Sequence, residues 1–323
     1  ANKFTRKKTL TFRFSDKHKD YIRACADCSY NVAEGAVRAG KTVDNVFAFA
    51  HELKTTPDRI HLATGSTMAN AKLNIGDCNG MGLEWIFRGQ SHWGKYKDNE
   101  ALFIKGPATG WRQRIVIFAG GAKEDSYKKI RGNSYGMWIA TEINLHHDKT
   151  IKEALNRQLA AKRLKVFWDL NPDNPNAQIY SEYIDKYQKQ QEAGNFPGGY
   201  NYMHCTIYDN INITAERLRE IESRYDVNSI WYMRDIKGMR VVANGLIYRR
   251  FADDTSTKQY VFRLKDKPKD LMEINLGIDF GGSGSGHSFT ATGITRSYGM
   301  VVALASEWIS CKDESGNQIE IDP

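Results

Sequence analysis

The octapeptide GAVRAGKT, residues 35–42, constrains this chain more than any other stretch. It sets glycines at 35 and 40 and follows them with Lys41 and Thr42, the spacing G-x4-G-K-[ST]. At average composition a chance match in a chain of 323 residues is on the order of one in a hundred. The flanks have the right character too. YNVAEG (30–35) reads as a strand, and KTVDNVFAFAHELK (41–54) puts Val43, Val46, Phe47, Ala50 and Leu53 on one helical face. A glycine turn between a strand and a helix cradles phosphate. Gly35 and Gly40 let the backbone curl, so that the amides of Ala36, Val37, Arg38 and Ala39 face the anion and the helix adds the positive end of its dipole. Lys41 is expected to reach the β- and γ-phosphates of ATP, and the Thr42 hydroxyl to coordinate Mg2+.

Such a loop works with an acidic element at the end of another strand. MWIATE supplies one, four apolar residues followed by Thr141 and Glu142. The usual order is Asp on the metal and then Glu on the attacking water; here Thr141 stands in the Asp position and is expected to meet Mg2+ through a bound water. Glu142 is the expected general base.

Strands and helices alternate through about residue 210, which predicts an α/β domain around a central, mostly parallel sheet. ALFIKG and RQRIVIFAG bracket a turn, as a hairpin or an inserted pair of strands does. TAERLREIESRYDVNSIWYMRDIKG (214–238) reads as helical, with Thr214 as N-cap and Gly238 as stop. KDKPKD (265–270) is a charged linker, and after it three strands follow one another. The expected division is an ATPase domain over 1–240, its helical lid starting near 210, a connector over 241–274 and a third part over 275–323.

The remaining composition narrows the partners. Lys plus Arg less the acids is 46 − 38 = +8, a balance that favours a polyanion. No apolar run approaches the roughly 20 residues a membrane span needs, so no membrane partner is expected. The basic start ANKFTRKKTLTF lacks the apolar core of a signal peptide, which makes the cytoplasm the expected address. Five scattered cysteines read as reduced thiols, and Cys25 and Cys28 as two helical cysteines with no zinc site around them. In HHD (146–148) the two histidines point about 100° apart, and the segment is expected to be a solvated helix entry.

Taken in order, SDKHKDYI, EGAVRAGKT, KIRGNSYGMWIATEINLHHD, DLNPDNP and LGIDFGG…SFTATGI resemble the large terminase subunit of tailed bacteriophages, the ATPase that packages DNA. The resemblance spans nearly the whole chain. It implies a P-loop NTPase domain followed by the start of a ribonuclease-H-like α/β nuclease domain. It places His18, where many relatives have Gln, near the adenine, and matches Arg38 to an arginine of the phosphate loop. It makes Arg131 an arginine finger for a neighbouring subunit, beside the alternative that Arg131 binds a carboxylate of its own fold. It makes Asn171 the phosphate sensor of a coupling motif, and Asp279 the first metal-binding carboxylate of the nuclease, which uses Mg2+ or Mn2+. The family's other nuclease acids fall beyond residue 323, so this chain is expected not to cut DNA by itself. Implied partners are double-stranded DNA, the portal protein of a procapsid, a small terminase subunit and further copies in a ring, within the cytoplasm of an infected bacterium. The alternatives are a helicase-like translocating ATPase and a nucleotide-gated assembly module without catalysis.

Overall fold

The computed structural model describes residues 12–241, 267–280 and 286–310. Cys311, the basic start and most of the expected connector lie outside them. The chain divides into two compact units, one ending at Asn244 and the other beginning at Gly245.

In the first unit a helix α1 (Asp16–Ala24) precedes the strand β1 (Tyr30–Gly35) and the helix α2 (Lys41–Thr55). The strands that follow are β2 (Ile60–Gly65), β3 (Ser91–Tyr96), β4 (Asn99–Ile104), β5 (Arg114–Gly120), β6 (Met137–Ala140), β7 (Lys165–Leu170) and β8 (Tyr200–Cys205). They form one eight-stranded sheet in the order β3-β4-β5-β2-β6-β7-β1-β8. From β5 to β8 every pairing is parallel, whereas β3, β4 and β5 pair antiparallel. The hairpin expected around 101–120 is therefore β4 against β5, with Phe103 opposite Ile115. β3, whose sequence SHWGKY has no apolar run to announce it, extends that edge.

The parallel strands are buried on both faces, which is why MWIA reads as an unbroken apolar run and VFWDL as one broken at Asp169 alone. Alternation along each strand sorts the side chains. Ala33, Ala63, Ile139 and Phe167 pack on the face that holds Val46, Phe49 and Leu53 of α2. Val32, Leu62, Trp138 and Trp168 pack on the other, with Ile151, Ala154 and Tyr183.

The long helix expected over 214–238 is two short ones, Ala215–Glu222 and Ile230–Asp235. Thr214 does cap the first by accepting from the Arg217 amide. The break lies at Asp226, whose side chain takes the Asn228 amide at 2.9 Å, and Ser229 then caps the second helix. The segment after it returns to the glycine loop. Gly238 has φ of +68°, and a Cβ there would meet the Cys205 carbonyl oxygen at 2.4 Å and the Ala36 nitrogen at 2.6 Å. His204 Nε2 hydrogen-bonds the Gly238 carbonyl at 2.8 Å.

The second unit contains an antiparallel sheet of β9 (Leu271–Asp279), β10 (His287–Thr295) and β11 (Val301–Ile309), in the order β11-β10-β9. These are the three successive strands expected after the linker.

Candidate nucleotide site

β1 ends at Gly35, α2 starts at Lys41, and the loop between them curls as the motif demands. Gly35 has φ of +150° with the Cys205 carbonyl oxygen 2.0 Å from where a Cβ would stand, and Gly40 has φ of +106°. Lys41 is buried. Its Nζ donates to the carbonyls of Gly35 at 2.9 Å and Ala36 at 2.6 Å, and to Asn171 Oδ1 at 3.1 Å. Burial lowers its pKa, opposed by the charge of Asp169. The loop thus curls around its own lysine, and Asn171, the expected phosphate sensor, accepts from that lysine.

A cavity of about 600 Å3 opens over this loop. Val37, Arg38, Ala39, Gly40, Lys41 and Thr42 line it from the loop side, and Thr141, Glu142, Asp169 and Asn171 from the ends of neighbouring strands. Parallel order explains the convergence: β6, β7 and β1 are adjacent and all deliver their carboxyl ends here. Glu142 is held in the left-handed region (φ 53°, ψ 53°), a strained conformation for a residue with a side chain. Arg38 also has positive φ, and its carbonyl accepts from Asn210 Nδ2 at 2.7 Å.

A residue absent from the sequence-based set stands at the centre. Asp169, 3% exposed, takes the Thr141 hydroxyl at 3.2 Å and the Glu142 amide at 3.1 Å, both on Oδ1. Burial raises its pKa to about 6, opposed by Lys41, the Glu142 amide and the hydroxyls of Thr42 and Thr141. Oδ2 makes no hydrogen bond of ordinary geometry, although the Thr42 hydroxyl lies near enough to favour the charged carboxylate. The available signal was the acid itself in VFWDLNP, a polar break in an apolar run two residues before Asn171.

Besides Gly35 and Ala36 at the base of the loop, three expected residues stand outside the cavity's lining. His18 is buried behind the loop, its Cε1 3.4 Å from where a Cβ on Gly40 would be, and its Nδ1 is bonded to Asp44 of α2. Burial pushes the Asp44 carboxyl up to about 6, opposed by this histidine. Arg131 lies against Glu153 at 3.4 Å, with its guanidinium 4.5 Å from the centre of the Tyr127 ring and half its side chain exposed. Asp279 closes β9 opposite Ser288, in the second unit. No group of three or more His, Cys, Asp or Glu suited to a metal occurs among the described residues. HHD differs from expectation: His146 is buried, bonded to Thr64 Oγ1 at 2.9 Å, and its pKa falls to about 4 through burial, while His147 caps the following helix. Cys25 and Cys28 are free thiols, as expected, but neither is helical: α1 ends at Ala24, and both lie in the connection between it and β1.

No protein-family model and no curated protein matches this sequence. Solved structures do. The large terminase of a thermophilic bacteriophage, in complex with ADP, superposes with a TM-score of 0.61 at 18% identity, covering 92% of this chain and 69% of that one. This chain has the large-terminase fold. The same phage's terminase in complex with ATP-gamma-S gives 0.59 at 17% identity, covering 92% and 68%. The bacteriophage HK97 large terminase gives 0.52 at 14%, covering 92% and 63%. No helix among the described residues is long and apolar enough to cross a membrane.

Proposed function

We propose that this chain is the ATP-hydrolysing subunit of a viral DNA-packaging motor. It would act as a ring on the portal protein of a procapsid, with a small terminase subunit, in the cytoplasm of an infected bacterium. The observation that carries this reading is the convergence of Lys41, Thr42, Glu142 and Asn171 on one cavity at the carboxyl ends of parallel strands. The terminase of the thermophilic phage, solved with ADP and with ATP-gamma-S, supports a nucleotide in that cavity.

In this reading the β- and γ-phosphates take Lys41 from the carbonyls of Gly35 and Ala36, replacing two neutral acceptors with anionic ones. Glu142 orients the attacking water and accepts its proton, and its constrained backbone fixes where the carboxylate points. Asn171, released from Lys41 in the same movement, reports occupancy to the DLNPDNP segment. Thr42 and Thr141 offer hydroxyls to Mg2+, which when bound neutralises charge between the β- and γ-phosphates. Arg131 would serve a neighbouring subunit only by leaving Glu153, the carboxylate of its own fold against which its half-exposed side chain lies, a contact that favours the alternative structural role. Basic side chains would grip the DNA backbone without reading sequence. Asp279 would belong to a nuclease site using Mg2+ or Mn2+.

The test is ATP turnover by the whole chain, alone and with double-stranded DNA and portal-bearing procapsids. Turnover stimulated by both, and lost in Lys41→Ala, is expected. Stimulation by DNA alone would favour a helicase-like translocase, and binding without turnover a nucleotide-gated module.

A further inference from the structure

The strand that ends at Thr141 carries no acid where a phosphate-loop ATPase usually has its metal carboxylate. β7 supplies one from the side. Ala140 of β6 pairs with Trp168 of β7, so the next residues along, Thr141 and Asp169, face one another across the two strands. Ile139 and Phe167, two positions earlier, both point to the face that holds α2. Alternation therefore turns Thr141 and Asp169 to that same face, where α2 begins with Lys41 and Thr42. On its other side β7 sets Asp169 opposite Ala33 of β1, near the base of the glycine loop.

The two carboxylate oxygens have different surroundings. Oδ1 is occupied by Thr141 and the Glu142 amide. Oδ2 is buried and makes no hydrogen bond of ordinary geometry, and of the buried side-chain atoms left so among the described residues, it alone belongs to a residue lining the cavity. A buried oxygen in that state costs free energy unless something supplies positive charge. Hydroxyl and carboxylate oxygens together suit a hard cation of the magnesium class, which is held by one or two protein oxygens beside phosphate.

We propose that Asp169 supplies the carboxylate that completes the Mg2+ shell at Thr42, replacing from the neighbouring strand the acid missing at Thr141. Its second oxygen serves the metal while the first pins Thr141 and holds the amide of Glu142, so one side chain fixes the cation and the base together. The assignment rests on the nucleotide-site reading above.

The experiment is ATP-gamma-S binding by the whole chain, by calorimetry, in Mg2+ and in EDTA. Wild type is expected to bind more tightly with Mg2+. Asp169→Asn keeps the volume and the Oδ1 acceptor; it should retain its affinity in EDTA and lose about 10–100-fold of the Mg2+ gain, the usual cost of removing a metal's supporting carboxylate. Thr141→Asp in the Asp169→Asn background should restore that gain, and it decides the matter if the single variant folds poorly. An unchanged Mg2+ gain in Asp169→Asn, or a folded double variant without one, would overturn the assignment while leaving the nucleotide site intact. Wild type that binds no ATP-gamma-S under either condition would overturn the nucleotide site and this assignment with it.

Discussion

Two acids flank the glycine loop on opposite faces of the sheet, and they are treated differently. Glu34, at the end of β1, is buried, and its oxygens accept from Arg240 at 2.7 to 3.1 Å, from the Tyr180 hydroxyl at 2.8 Å and from the Tyr202 hydroxyl at 2.8 Å. Arg240 in turn reaches Asp185 at 2.6 Å and lies over the Tyr180 ring. Asp169, one strand away, has one oxygen satisfied and one left over. A buried charge with every lone pair occupied locks a fold, whereas one left half-partnered holds a place for something that arrives later.

The contrast breaks most readily at the cavity. If Glu142 is the base, as proposed above, Glu142→Gln should slow ATP turnover by roughly 10²–10⁴ while ATP binding persists, because the substitution leaves the glycine loop intact. Turnover at the normal rate, read in a phosphate-release assay, would move the base elsewhere.

On the locked side the effect falls on stability. Glu34→Ala leaves Arg240 without its main partner and should cost about 3–5 kcal/mol, read as a lower midpoint in urea. Asp169→Asn should cost the empty protein far less, since it removes a charge that burial already opposes. Equal losses from the two would erase the distinction.

The smallest effect is a pH dependence. Asp169 has a folded pKa of about 6 against its ordinary 3.8, a raised value. A raised acid pKa stabilises the fold below the ordinary value, and that contribution disappears as pH rises through about 6. The midpoint of the empty wild type should therefore fall relative to Asp169→Asn between pH 4 and 6, with no further divergence above pH 7. A gap that widens the other way would mean that the carboxylate is better paired than its surroundings indicate.

What could be read in advance follows the range of each interaction. The phosphate loop is local: four positions at fixed spacing set its shape, and Gly35, Gly40 and Lys41 stand as that spacing requires. The parallel strands are legible because burial on both faces leaves nearly continuous apolar runs, as in MWIA. Asp169 is legible only as a polar break in VFWDLNP, because its contacts with Thr141 and Glu142 depend on β6 and β7 lying side by side, a pairing no local pattern encodes. His146 escapes for the same reason, since Thr64, its partner, comes from β2, 82 positions away. The break near Asp226 had a local signal, an Asp followed by Asn228 and Ser229, hidden inside an otherwise helical stretch.

The packing of Gly238 against the loop has a mechanical consequence. A Cβ at Gly238 would lie 2.6 Å from the Ala36 nitrogen and 2.9 Å from the Gly35 Cα, and two positions on Arg240 grips Glu34, the residue just before Gly35. Backbone meets backbone at Gly238, with no side chain between to absorb a displacement, and a guanidinium holds a carboxylate two positions on. The loop and the segment from Gly238 to Arg240 are therefore geared. If phosphate reshapes the turn at residues 35 and 36, the segment from Gly238 to Arg240 is placed to move with it, through contacts at the end of β1.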